Sequence, residues 1–383
     1  MTSRRLFSAL FHNELEKIWA HRGKVLIIAF ILIVLGGSFI AYRSYEGSVQ
    51  GYQSEVASTK SQIIQEQHQL SHVHGSQKRA LQEQLSATRS TLQQLQQNSF
   101  VTTNVSIQIT SLKKSLKGTP PAFQGNTREQ LALDYYRVQH GMTQYHPSGH
   151  GGYRLVGQVF AGFTTLLFAL VALGISADRI SSEIELGTWG GLLLHAPRRR
   201  LVYLAKLAAS LVVTWAFMVA SALGFFVTAG IFLGFGNPNN PHAVSMKLAT
   251  INHASGTQVT IPIQSFHLIP QWTYDLASLG LAMLAIGALV SVFIGLSMVT
   301  RSTVFSLIVG AVFVLSDVFA HAVGSLAIMD PAVHLPLMGD WTRSLAMQYN
   351  TTTLSLRTGL AVVVGWIGFA ILFSLGFAKK LDL

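Results

Sequence analysis

The chain has 383 residues, half of them hydrophobic and only 11% charged, with a mean hydropathy of +0.41. Soluble domains carry about 25% charged residues, so a water-soluble globular protein is excluded, and this much apolar content also excludes a disordered chain. The formal net charge of +11 leaves two readings open, a nucleic-acid footprint or a bias towards one membrane face, and the placement of the charges decides between them. No cysteine is present, so disulfides, thiolate chemistry and cysteine-ligated zinc are absent.

Residues 1–24 are amphipathic. Leu6, Phe7, Leu10, Phe11, Leu15, Ile18 and Trp19 recur at helical spacing, with His12, Asn13, Glu16 and Lys17 between them. The pattern predicts a cytoplasmic helix lying in the membrane interface. Residues 25–42 follow as the first apolar span. The leading 24 residues are too long for a signal peptide, and no A-x-A cleavage pattern follows, so a retained helix is expected.

Residues 43–152 read as an extracytoplasmic helical domain. From residue 52 to 97 the chain is rich in Gln, Ser and Glu and has no proline. Val56, Ile63 and Leu70 are seven apart, and Leu81, Leu85, Leu92 and Leu95 continue a sparse 3-4 pattern. An antiparallel helical hairpin with a thin, coiled-coil-like seam is expected, interrupted at residues 71–76. A shorter helix is expected at 127–139.

Five more stretches approach or exceed the roughly 20 apolar residues of a bilayer-spanning helix: 153–177, 204–233, 274–299, 303–329 and 358–378. The segment 234–273 is an external loop with a possible β-hairpin around Ala254 to Thr257, and 330–357 is a last external loop. The predicted fold is thus an all-α polytopic membrane protein. It has six transmembrane helices, an N-terminal interfacial helix and an extracytoplasmic hairpin domain.

Lys and Arg in short segments set the orientation. One side collects Arg4, Arg5, Lys17, Arg22, Lys24, Arg179, Arg198, Arg199, Arg200, Lys206, Arg301, Lys379 and Lys380. The short loops opposite hold only Lys247, Arg343 and Arg357. Both termini and the 379–383 tail are predicted cytoplasmic, in a plasma membrane. The positive charge is therefore an orientation signal, and no nucleic-acid partner is expected.

The most informative stretch is the loop at 178–203. Gly187 suits the position just past a helix C-terminus, Thr188 suits the N-cap of a second short helix, and Pro197 ends that helix. Trp189, Leu192, Leu193 and Leu194 would be its apolar side chains. If exposed, they invite a protein partner. The bland alternative is a surface loop carrying positive-inside arginines.

The run Glu183, Glu185, Gly187, Thr188, Leu192, Leu193, Pro197, Arg199 and Lys206 resembles the signature of ABC-2 type transporter permeases. Asn13-Glu14-Leu15-x-Lys17 before the first span and Arg301-Ser302 between the fourth and fifth spans are similar as well. The resemblance covers roughly 6–42 and 153–380, and it points to the subgroup with an extracytoplasmic insertion after the first span. It implies a transport subunit of an exporter, whose second-span loop is a coupling helix touching a separate ATPase. The site expected to dock that ATPase is Glu183, Glu185, Gly187, Thr188, Trp189, Leu192, Leu193, Pro197 and Arg199. It also implies a second permease copy or a related chain, within the lipid bilayer. Gly190-Gly191 would shorten or fray the coupling helix.

No G-x-x-x-x-G-K-[ST] occurs, and no cytoplasmic segment could hold a nucleotide-binding domain. The chain is therefore expected to be no enzyme and to bind no cofactor, with ATP and Mg on the partner ATPase. Asp317, with His321 one turn on, is a candidate intramembrane polar site. The alternative reading is that the pair lies near the outer end, facing water. His68, His72, His74, His146 and His150 lack the carboxylate or cysteine that would complete a metal set, so no metal site is expected. A competing function is a non-transporting membrane scaffold or sensor that reads ligands with the helical hairpin. A carrier driven by Asp317 is a third, without an inverted hydropathy repeat to support it.

Overall fold

The computed structural model describes residues 3–379 except 73, 75, 98–102, 121–122, 143, 146–150, 163–164, 196–198, 253–257, 265 and 317–327. The chain begins with one helix, α1 (Ser3–Leu70). No proline occurs in it, and its 68 residues span about 100 Å at 1.5 Å per residue. This corrects the expected division into an interfacial helix and a separate span, because the helix has no break near Lys24.

Helix α9 (Arg199–Leu233) runs parallel to α1. Lys206 lies beside Glu14, Gly224 beside Val34, and the Ser38 and Thr228 hydroxyls are 2.6 Å apart. Residues 14–24 thus pack along the first turns of α9. Close approach depends on glycine: a Cβ on Gly37 would sit 2.6 Å from the Phe225 ring.

Beyond the apolar stretch, α1 turns into α2 (Ser76–Gln97) and the two form a helical hairpin. Tyr52 donates to the Leu95 carbonyl at 2.8 Å, and Thr88 donates to Glu66 at 3.1 Å. The two-residue β1 (Thr103–Asn104), α3 (Val105–Gly118), α4 (Gly125–Gln139) and β2 (Gln144–Tyr145) follow. Asn104 caps α3 by accepting from the Ser106 N–H at 3.0 Å. Arg137 pairs with Asp134 at 2.5 Å and donates to Asn240 at 3.1 Å, which ties α4 to the segment after α9.

The expected second span is divided into α5 (Gly152–Ala161) and α6 (Thr165–Ser176). At the interruption the Gly162 carbonyl accepts both the Thr165 N–H at 3.1 Å and the Thr165 hydroxyl at 2.7 Å. Two short helices, α7 (Ser181–Glu185) and α8 (Thr188–His195), then precede α9. Helix α10 (Gln271–Thr300) is the central element and packs on α5, α6 and α9. Thr300 ends it, Arg301 adopts φ +53°, and α11 (Thr303–Val314) starts the return.

Among the described residues five helical stretches are long and apolar enough to cross a bilayer: the one containing α1, 165–185, α9, α10 and the last helix, α14 (Leu356–Lys379). Of the expected fifth span the described part is α11, which is shorter, and residues 317–327 of that stretch lie outside the described residues.

Strands β3 (Pro241–Val244) and β6 (His267–Pro270) pair antiparallel, as do β4 (Lys247–Asn252) and β5 (Gln258–Gln264). Helices α12 (Leu337–Thr342) and α13 (Ser344–Gln348) pack beside them. Trp341 and Ser245 exchange two hydrogen bonds, at 2.8 and 3.0 Å. His334 sits fully buried between Asp340 (2.6 Å) and the Ile328 carbonyl (2.8 Å). Gly359 lets α14 approach this pair, since a Cβ there would lie 2.2 Å from the Asp340 carboxylate.

Candidate functional site

The short helix α7 is held from every side. The N–H groups of its first residue and of the residue before it, which no helical carbonyl satisfies, are taken by one hydroxyl from α10. Ser297 accepts from Ile180 at 3.0 Å and from Ser181 at 2.9 Å. At the other end Glu185 accepts from the Thr303 N–H at 2.9 Å and so caps α11. Each cap crosses from one helix to another, so α7 cannot shift without disturbing α10 and α11.

On its opposite face α7 closes a ring of charges. Glu183 binds Lys17 at 2.8 Å and Lys206 at 2.9 Å. Glu14 binds Lys206 at 3.0 Å and Lys17 at 3.2 Å. Two carboxylates and two ammonium groups alternate around the ring, supplied by α1, α7 and α9. Glu14 is 2% exposed and Lys206 1%. Arg179 adds a donor to the Glu14 carbonyl at 3.3 Å, and Arg22 binds Asp178 and the Gly174 carbonyl. A buried charge is tolerable only when paired in this way.

The ring lies outside the apolar stretch 25–42. Burial pushes the Glu14 carboxyl up, but Lys206, Lys17 and Arg179 outweigh it and hold it below its ordinary 4.5. Burial pushes Lys17 down, but its bond to Glu183 and the charge of Glu14 carry it above 10.5. The Glu14 contribution to stability is therefore complete above pH 4.5 and lost as pH falls through the lower folded value. The Lys17 contribution is complete below pH 10.5 and lost as pH rises through its folded value. In acid melts of the purified protein, Glu14→Gln is expected to remove part of the loss in unfolding temperature seen below pH 4.5. An unchanged acid limb would show that the ring does not titrate in this range.

Helix α7 ends at Glu185, and Gly187 follows with φ +71°, the left-handed conformation that glycine adopts without strain. Thr188 is the first residue of α8 rather than a cap accepting its N–H groups. Its hydroxyl donates back to the Glu183 carbonyl at 3.3 Å. The corner of Glu185, Leu186, Gly187 and Thr188 is exposed, Leu186 to 76%.

Several expected site residues take other places. Glu183 faces the ring and not the surface. Trp189 is 3% exposed and belongs to the main hydrophobic core, so it offers nothing to a partner. Leu192 and Leu193 lie in α8, but their side chains are outside the described residues, as is Pro197 altogether. Arg199 opens α9 and is partly exposed. Asp317 and His321 are outside the described residues. Sequence reasoning did not select Glu14, Lys17, Lys206 or Ser297 as site residues. The usable signal was the presence of Glu14 and Lys206 within apolar helical patterns.

A family model described as ABC-2 family transporter protein matches residues 9–353. No curated protein and no solved structure matches the chain.

Proposed function

Because this chain belongs to the ABC-2 family of transporter proteins, it is a membrane permease of an ABC transporter, and we propose that α7 and the Leu186 corner receive the stroke of a separate ATPase subunit. One observation carries this reading. Helix α7 is fastened to α1 and α9 by the charge ring and to α10 and α11 by two caps, while its adjoining corner is exposed. A push on the corner is thereby delivered to four helices at once.

The ring end faces the cytoplasm in this proposal, because most Lys and Arg of the short segments lie there. Both termini are then cytoplasmic, and the hairpin of α1 and α2 projects outside a plasma membrane. ATP and Mg are bound and hydrolysed on the partner chain. The permease works with a second copy or a related chain, and the direction of transport is export.

The test is co-purification. A large apolar residue at the centre of an interface contributes about 2 kcal/mol or more, which exceeds roughly tenfold in affinity. Leu186→Glu is expected to abolish co-purification of the ABC ATPase. Its unfolding temperature should stay at the wild-type value, since the side chain touches solvent. Retained ATPase binding and ATP-driven transport in Leu186→Glu would refute docking at this corner.

A further inference from the structure

His334 and Asp340 are both 0% exposed and lie at the end of the molecule opposite the charge ring. Helix α14 fixes that placement. It runs from Gly359, which packs on the pair, to Ser374 beside Gly295, close in sequence to the Ser297 that caps α7. Asp340 belongs to α12, which packs on α5, α10 and α14. Arg343, just past α12, donates to the Thr352 carbonyl at 2.9 Å and to the Leu354 carbonyl. Residues 328–343 are thereby folded onto the chain that enters α14.

The hydrogen bonds fix the protons of the pair. The Ile328 carbonyl only accepts, so His334 Nε2, at 2.8 Å, carries a hydrogen. His334 Nδ1 and Asp340 Oδ2 are 2.6 Å apart. A ring lone pair and an ionised carboxylate both only accept, so a further proton must lie between them. The closed pair therefore holds one proton more than a neutral imidazole beside a carboxylate. Without it, two lone pairs face each other in a fully buried site. The other Asp340 oxygen has no partner among the described residues, so no second donor compensates. The charged groups acting on the pair are Asp330, which favours the imidazolium, and Arg343, which favours the carboxylate. Among the described residues none from α5, α10 or α14 adds to them. Burial pushes His334 down, but the bond and charge of Asp340 outweigh it and hold the imidazole above its ordinary 6.5.

We propose that the His334–Asp340 pair is a proton-held latch, which fastens residues 328–343 to the first turn of α14 and releases them when alkaline conditions remove the shared proton. Opening exposes His334 to water and returns it to its ordinary value, so the latch contributes fully below pH 6.5. Above that, the opening constant rises by up to about tenfold per pH unit, until the closed pair itself gives its proton to water. The latch is independent of where an ATPase docks.

The test is hydrogen exchange of the full chain in lipid nanodiscs, read by mass spectrometry from about pH 6 to about pH 10, across and above the ordinary histidine range. Rates are corrected for the intrinsic pH dependence of amide exchange. In the wild type, protection of peptides covering 328–343 and 354–360 is expected to fall by about tenfold or more across that range. Peptides from α9 should keep theirs. Asp340→Asn is the decisive variant. Its side-chain amide donates to a neutral Nδ1, so both histidine bonds survive without the extra proton. Protection in Asp340→Asn should therefore stay high to the alkaline end. His334→Phe keeps the ring but has no donor, and it should be poorly protected at every pH. If His334→Phe does not fold, the comparison of Asp340→Asn with the wild type decides alone. Wild-type protection that does not vary with pH, or an alkaline loss in Asp340→Asn equal to that of the wild type, would overturn the proposal. So would a loss shared equally by α9, which would mark general alkaline unfolding.

Discussion

Lys206→Met is expected to destabilise the protein by about 3–5 kcal/mol, the cost of removing one partner from a buried ion pair. Lys206 is 1% exposed and bridges Glu14 and Glu183 at 3.0 and 2.9 Å. Methionine keeps most of the volume, so the loss comes from leaving the 2%-exposed Glu14 carboxylate short of positive charge. Lys17 remains, but it is partly solvated and cannot replace the missing contact. The measurement is thermal unfolding in detergent. A companion variant, Glu14→Gln with Lys206→Met, removes one charge of each sign and should recover most of the loss, since no buried carboxylate is then left short of its partner. A single variant as stable as wild type would show that the ring is hydrated and weak.

Trp189→Ala carries an expected loss of similar size, about 3–5 kcal/mol for a buried Trp truncated to Ala. Trp189 is 3% exposed and packs in the main core. Among the described residues its indole N–H has no acceptor, so Trp189→Phe loses no hydrogen bond and should cost far less. The two variants separate a core residue from a docking residue. A docking tryptophan would lose ATPase binding in both variants at unchanged stability. A core tryptophan loses stability in Ala and retains most of it in Phe.

Much of the architecture was legible in the sequence, because apolar length and charge placement act locally. Most apolar stretches correspond to helices, and Gly187 marks the corner through its own backbone preference. The divided second span was not legible. Residues 153–177 are mostly apolar, and hydropathy does not register a helix interruption whose carbonyl is satisfied by Thr165. The continuity of α1 was missed for a related reason. The amphipathic face of residues 1–24 reads as membrane-surface material, yet it buries Ile18 against Ile175 and Ala209.

The site was half legible. The family-like run located the loop, but a one-dimensional pattern does not distinguish an acid facing a partner from one facing a lysine 166 residues away. Glu183 and Glu185 are two apart on a single helical turn and so point in different directions. One joins the ring and the other caps α11. Lys206 looked like one more positive-inside residue until α1 and α9 were placed side by side.

The central claim is that the ring and the two caps transmit motion from the exposed corner to the outer ends of the helices. Because the chain has no cysteine, spin labels can be placed at Leu223→Cys and Leu276→Cys, two exposed positions on α9 and α10. Pulsed electron resonance then reads the distance between the labels in the assembled permease and ATPase, with and without ATP. The distance distribution is expected to shift on ATP binding in the otherwise native chain and to stay fixed in Lys206→Met with the ATPase still bound. An undiminished ATP-dependent shift in Lys206→Met would contradict the account.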